Sequence, residues 1–299
     1  LLALLFISSI VNAQLVSSQN YNADHQLLAL EIYEKTIAMR TAAGHNQVKV
    51  MAHYLADRFR DGGFDESDIN LIPFISPNGE EIASLIVRYR GDNSSNRKPI
   101  LFVAHMDVVD ALRKDWVKDP FKLIEEDGYF FGRGTADDKS GTTLLTSAFI
   151  RLKEEGFLPN RDLIIAFTGD EETEMLTIED MVENHRNLID AEYAINADSG
   201  GGRLDTNYKP IAYQLQAAEK TYADFTISIT NPGGHSSRPT RVNAIYDLAQ
   251  ALKEIESYEF PIESNDITVE YFKMRAAAEK NELGKAMMDF SINPNDSRA

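Results

Sequence analysis

The alternation of apolar and polar positions falls into a small number of strong segments. Leu27, Leu30, Tyr33 and Ile37 recur at helical spacing and predict a helix over residues 24–39. Val48, Met51, Tyr54, Leu55 and Phe59 form an apolar face that predicts a second helix over 45–61, stopped by Gly62-Gly63. Residues 69–75 and 83–90 read as strands, followed by the polar loop GDNSSNRK. KPILFVAH, residues 98–105, is a short apolar run that ends abruptly in polar residues, as a buried strand does, and it carries His105 at its C-terminal end. A helix over 141–155 follows, then a strand over 162–168 that runs into Asp170, Glu171 and Glu172, and a strand over 192–196 that runs into Asp198. Strands alternating with helices predict an α/β fold with a mostly parallel central sheet flanked by helices. Ligands of such sheets sit beyond the carboxyl ends of the strands, so three clusters at three such ends point to one crevice.

The pattern changes around residue 212. TYADFTISITNP alternates like a half-exposed strand, GGHSSRPT reads as a loop, VNAIYDLAQALKEIES as an amphipathic helix, and AAAEKNELGKAMMDF as helical. A domain boundary is expected near 214–220, giving a first domain over 14–214 and a second over 215–299. The first residues, LLALLFISSIVNAQ, are apolar and end in a small residue, which fits the end of a secretory signal over 1–13. That run is too short to span a bilayer. The expectation is an exported protein, periplasmic or secreted, that is free of the membrane once the signal is removed.

Composition narrows the chemistry. Of 299 residues, 43% are hydrophobic and 26% charged, enough for a sizeable core. The net charge of −17 argues against nucleic acid and anionic membranes as partners. There is no cysteine, which excludes disulfides, thiolate metal sites and a cysteine nucleophile. Any metal must be held by histidine and carboxylate.

In HMD, His105 and Asp107 alternate along a strand and can face one crevice, one binding metal and the other orienting the imidazole. In GRGTADDKSG, one of Asp137 and Asp138 is a candidate ligand and the other an N-cap for the following helix. Asp170, Glu171 and Glu172 are packed carboxylates that resist ionising together unless a cation neutralises them. Taken singly, these are also what a surface histidine, a helix cap, a solvated acidic loop and a turn residue look like. Together, a histidine and carboxylates at successive strand ends form a ligand set suited to zinc, and one too rich in carboxylate for a structural site.

HMDVV, the stretch DPF…DGYFFGRGTADDK, GDEE and GGHSSRP occur in this order. In these motifs the chain resembles the zinc peptidase family that includes glutamate carboxypeptidases, aminoacylase-1, acetylornithine deacetylase and succinyl-diaminopimelate desuccinylase, over roughly residues 25–260. The resemblance implies a zinc exopeptidase-like α/β domain with an incomplete α+β lid or dimerisation domain. It implies two zinc ions, with cobalt or manganese as substitutes. His105 and Asp198 would bind one ion, Glu172 the other, and Asp137 both. Asp107 would orient His105, and Glu171 would be the general base. His235, in the lid, would stabilise the oxyanion, reaching the partner subunit's site in a homodimer. The family has one further histidine ligand, and no histidine follows His235 here. That absence, with a lid that stops early, implies a fragment cut at both ends, with weak binding of the second metal and little activity. The implied activity is release of terminal residues from small peptides, as a carboxypeptidase or dipeptidase. N-acyl amino acid deacylation is the close alternative, and a non-catalytic binding protein on the same scaffold is the alternative of another class.

Overall fold

The computed structural model describes residues 23–294 apart from Tyr208 and Pro239. The expected signal segment lies outside the described residues. Among those residues, no helix is long and apolar enough to cross a membrane. The chain divides into two compact units, one ending at Gly201 and the other starting at Gly202.

The first unit opens with α1 (Ala23–Ala38) and α2 (Val48–Asp61), followed by β1 (Ile69–Ile75), β2 (Glu81–Tyr89) and β3 (Ile100–His105). A hairpin of β4 (Ile124–Glu126) and β5 (Tyr129–Phe131) precedes α3 (Lys139–Glu154). β6 (Leu163–Thr168), α4 (Leu176–Asn184), α5 (Arg186–Ile189) and β7 (Tyr193–Asn196) complete it. The main sheet has the order β1-β2-β6-β3-β7. β1 and β2 run antiparallel to their neighbours, whereas β6, β3 and β7 are mutually parallel. The sheet is therefore mixed, and its parallel half carries the strand ends singled out in the sequence.

The continuous apolar runs have a direct cause. Successive side chains of a strand point to opposite faces, and both faces of the central strands β2 and β6 are covered. Leu85, Val87, Ile165 and Phe167 pack with Ile32 of α1, Leu55 and Phe59 of α2 and Phe149 of α3. The intervening residues Ile86, Ile164 and Ala166 pack on the other face with Met181 of α4 and Ile189 of α5. Each fully buried side chain of this size contributes about 1.5–3 kcal/mol relative to exposure.

One local feature differs from the sequence expectation, and one was not anticipated by it. α2 begins at Val48 rather than at 45, because Gly44 and Asn46 both have positive φ, at 85° and 54°. The buried Glu80 carboxylate holds that loop by accepting the N–H groups of Gly44 and Asn46. The β4–β5 hairpin turns through Asp127 and Gly128, both with positive φ, which is the conformation an Asp-Gly hairpin turn requires.

The paired strands β8 (Gly201–Leu204), whose first residue is the last of the first unit, and β9 (Pro210–Gln214) open the second unit, followed by α6 (Ala244–Glu256), α7 (Asp266–Ala278) and α8 (Glu282–Ile292). The predicted amphipathic helix is α6, capped by the Asn243 side chain on the Ile245 N–H. The strand expected over 221–232 is not formed: the segment has no regular structure and pairs with no strand among the described residues. Alternation supplies a face but not a partner, and an unpaired strand leaves its backbone groups to water. The helix expected over 276–290 is divided. α7 ends at Ala278, and Asn281 accepts the Gly284 N–H to start α8. Phe272 and Phe290 then meet edge to face at 5.0 Å.

Candidate metal centre

The parallel register brings three strand ends to one level. His105 is the last residue of β3 and pairs with Thr168, the last of β6, while Val103 pairs with Asn196, the last of β7. The His105 imidazole is buried. Its Nδ1 lies 3.1 Å from the backbone carbonyl oxygen of Asp107 and 3.4 Å from the Asp107 carboxylate. Its Nε2 lies 2.8 Å from Asp137 Oδ1 and 3.9 Å from Asp198 Oδ1. His105 thus belongs to two ligand groups, one with Asp137 and Asp198 and one with Glu171 and Glu172. Within each group the ligand atoms lie within 4.8 Å of one another.

The two adjacent aspartates divide the roles left open by the sequence. Asp137 faces His105, and Asp138 turns inward to accept the Gly141 N–H at the start of α3 at 3.1 Å. The peptide bond between them is cis. Glu171 and Glu172 sit on the turn after β6, and their backbone N–H groups donate to the two Asp107 carboxylate oxygens at 3.0 and 2.9 Å. Asp170 faces away from the ligand groups. Its carboxylate accepts the Leu176 and Thr177 N–H groups and so closes the turn that presents the two glutamates.

The electrostatics are those of a site prepared for a cation. Burial works against charge on His105, but the hydrogen bond and charge of Asp107, with Asp137 and Asp138, outweigh it and push the imidazole up to about 10. Burial pushes Asp138 up to about 7, with His105 opposing and Asp198 reinforcing. Burial also raises Glu171 and Glu172; Asp198, Asp107 and Asp137 add to the rise for Glu171, and Asp137 adds to it for Glu172. The decisive contact is His105 Nε2 with Asp137 Oδ1. With Nδ1 donating to the Asp107 carbonyl, a neutral ring offers Asp137 a lone pair, and two acceptors at that distance repel. A proton or a metal ion between them removes the conflict. The donor chemistry and convergence of His105, Asp137, Asp198, Glu171 and Glu172 fit a divalent metal.

His235 lies in the second unit on an exposed loop, where Nδ1 accepts from Ser237 at 3.2 Å from the backbone nitrogen and 2.8 Å from the hydroxyl. His25, His45 and His185 instead face Glu154, Asp110 and Asp180. Sequence reasoning gave no role to Lys139, which is completely buried beside the site. Its Nζ donates to the Thr36 and Met39 carbonyls at 2.9 and 2.5 Å. Burial pushes it down to about 7, with Asp107 opposing.

The first unit is thus a mixed sheet between helix layers, with an imidazole and several carboxylates gathered at its parallel strand ends. Residues 101–289, more than half of the chain, match the model of peptidase family M20/M25/M40, and the chain belongs to that family. It is 35% identical over 184 residues to the probable carboxypeptidase S-like 2 of Dictyostelium discoideum, covering 58% of this chain and 34% of that protein. It is 32% identical over 171 residues to the human N-fatty-acyl-amino acid synthase/hydrolase PM20D1, covering 55% and 33%. Its fold is similar to a solved structure of the di-peptidase Dug1p from Saccharomyces cerevisiae. The TM-score is 0.53 at 20% identity, over 61% of this chain and 40% of that one. The chain spans about a third of the length of the two sequence relatives.

Proposed function

We propose that the protein of which this chain is part is a di-zinc metallopeptidase that cleaves small peptides as a carboxypeptidase or dipeptidase. The observation that carries this reading is the His105 Nε2 held 2.8 Å from Asp137 Oδ1, with Asp198, Glu171 and Glu172 around it. His105 and Asp198 would hold one ion, Glu172 the other, and Asp137 both. Bound there, the metal supplies Lewis acidity, drawing electrons from the scissile carbonyl and making the attacking water more acidic.

The residues of the chain do the rest. Asp107 fixes the ring of His105 from behind, which sets the direction of Nε2. Glu171 takes the proton of the attacking water and returns it to the leaving amine. His235 would stabilise the oxyanion in a partner subunit's site, as the family resemblance implies. The exposed Ile245, Leu252 and Ile255 of α6 support a homodimer through that unit. The apolar run of residues 1–13 supports export.

A second reading is favoured by one finding. The human relative is named as acting on N-fatty-acyl-amino acids, and an N-acyl amino acid presents the same amide chemistry. The test is to purify the full-length protein, measure bound zinc, and assay dipeptides, longer peptides and N-acyl amino acids side by side. Zinc near two per chain with dipeptide turnover is the expected result. Turnover confined to N-acyl amino acids selects the second reading, and a protein with neither zinc nor hydrolysis overturns both.

A further inference from the structure

Lys139 is unusual among the buried side chains of the first unit. It is 0% exposed, and its ammonium is met by backbone carbonyls rather than by a carboxylate. An interior charge is costly unless it is well hydrogen-bonded. The acceptors explain how it is tolerated. Thr36 lies in the last turn of α1 and Met39 just beyond it, where helix carbonyls carry the negative end of the dipole.

The same end of α1 grips the same segment at two more points. The Tyr33 hydroxyl donates to the Thr135 carbonyl at 2.6 Å. Gly132 sits so close to α1 that an added Cβ would lie 3.1 Å from Ile37 Cγ2. Gly134 has φ +87°, and a Cβ there would come within 2.9 Å of Lys139 Cδ. Residues 132–139 are therefore tied to α1 from both sides of Asp137. Asp137 itself projects outward, with 57% of its side chain exposed. Its place opposite His105 is set by its neighbours more than by its own burial.

We propose that Lys139 is a positioning residue: its buried ammonium clamps the 132–138 segment onto the end of α1 and thereby fixes where the Asp137 carboxylate stands relative to His105. The consequence for metal binding rests on the metal-centre reading above; the clamp itself does not. A methionine at 139 keeps the length of the apolar stem but loses the ammonium. It leaves the Thr36 and Met39 carbonyls with the backbone donors they already have, Met39 N and Thr41 N. Loss of such an outer support costs about 10–100-fold in metal affinity.

The experiment uses the full-length protein with 15N-labelled histidine, as wild type, Lys139→Met, Tyr33→Phe and Asp137→Ala. Two quantities are read: the His105 imidazole 15N signal without metal, and the affinity for Co2+ by visible absorption. The expected result is a folded Lys139→Met protein whose His105 signal moves toward that of Asp137→Ala, with Co2+ binding about 10–100-fold weaker. A folded Lys139→Met protein with the wild-type signal and wild-type Co2+ affinity overturns the proposal. Should Lys139→Met fail to fold, Tyr33→Phe decides on the same readouts: a shift in the same direction supports the clamp, and none overturns it. If wild type takes up no Co2+, the metal-centre reading fails, and the metal-free His105 signals still decide the clamp.

Discussion

The Asp107 carboxylate accepts the backbone N–H of Glu171 at 3.0 Å while the Asp107 backbone carbonyl meets His105 Nδ1 at 3.1 Å. One residue thus holds both halves of the site: the imidazole through its main chain, and the glutamate turn through its side chain. Asp107→Asn changes the second role and also removes the charge that faces His105 Nδ1 at 3.4 Å. An amide accepts one of the two N–H groups and turns its own NH2 toward the other. The expected loss is about 1.5–3 kcal/mol of stability, the scale of a charge-assisted hydrogen bond. Urea unfolding of the metal-free chain measures it. An unchanged midpoint would mean that the turn keeps its shape without the carboxylate.

Glu171→Gln separates chemistry from metal binding. The amide keeps the shape of the side chain and cannot take a proton. If Glu171 is the general base, turnover in the full-length protein falls about 10²–10⁴-fold, while zinc content and melting temperature stay at wild-type levels. Loss of zinc along with activity would instead make Glu171 a ligand, a role for which its distance to His105 also qualifies it.

Protons and metal compete for the same space, and the pH dependence follows. His105 is raised from 6.5 to about 10, so its contribution to metal-free stability is complete below about 6.5 and lost as pH rises toward 10. Asp138 is raised from 3.8 to about 7, so the folded chain binds the extra proton and loses that stability between those values. Lys139, lowered from 10.5 to about 7, acts with the opposite sign above pH 7 and offsets His105 there. The unopposed window is therefore about pH 4–7, where metal-free stability should fall as pH rises. Thermal unfolding at about pH 5 and pH 7 reads the slope, and Asp138→Asn should flatten it. Metal affinity runs the other way, because the ion must displace the His105 proton, and it should rise about tenfold per pH unit.

Much of this site was legible because its scaffold is covered on both faces. The runs ending at His105 and Thr168 are apolar at consecutive positions, which marks interior strands and locates their ends, whereas the shorter run ending at Asn196 forms an exposed edge strand. The contacts between those ends were not legible. Asp107 and the Glu171 turn are 64 residues apart, and Lys139 and Thr36 are 103 apart. Nothing in the sequence around Lys139 marks it as interior; its contacts with the end of α1 do. α7 escaped notice because Ile267, Val269, Tyr271, Phe272 and Met274 spread around the helix and give no single face. The alternation at 221–232 misled for the opposite reason, since it describes one strand and says nothing about a neighbour.

Gly141→Ala tests the packing behind the metal-facing residues. In a helix, alanine is ordinarily favoured over glycine by about 1 kcal/mol. Here the added Cβ would lie 2.2 Å from Asp138 Oδ1 and 2.8 Å from Ala197 Cβ. The clash wins, because Asp138 must stay close enough to accept the Gly141 N–H while Ala197 precedes the candidate ligand Asp198. Overpacking of this kind costs about 1–3 kcal/mol. Relief requires the Asp138 carboxylate to move away from the His105 backbone, which it now faces at 3.4 Å. Gly141→Ala should therefore lower both the urea midpoint and the Co2+ affinity. Gly202→Ala, where an added Cβ meets nothing within 4 Å, should change neither. Stabilisation of the Gly141 variant would show that Asp138 swings aside freely, and that the contacts of its carboxylate do not hold the end of β3.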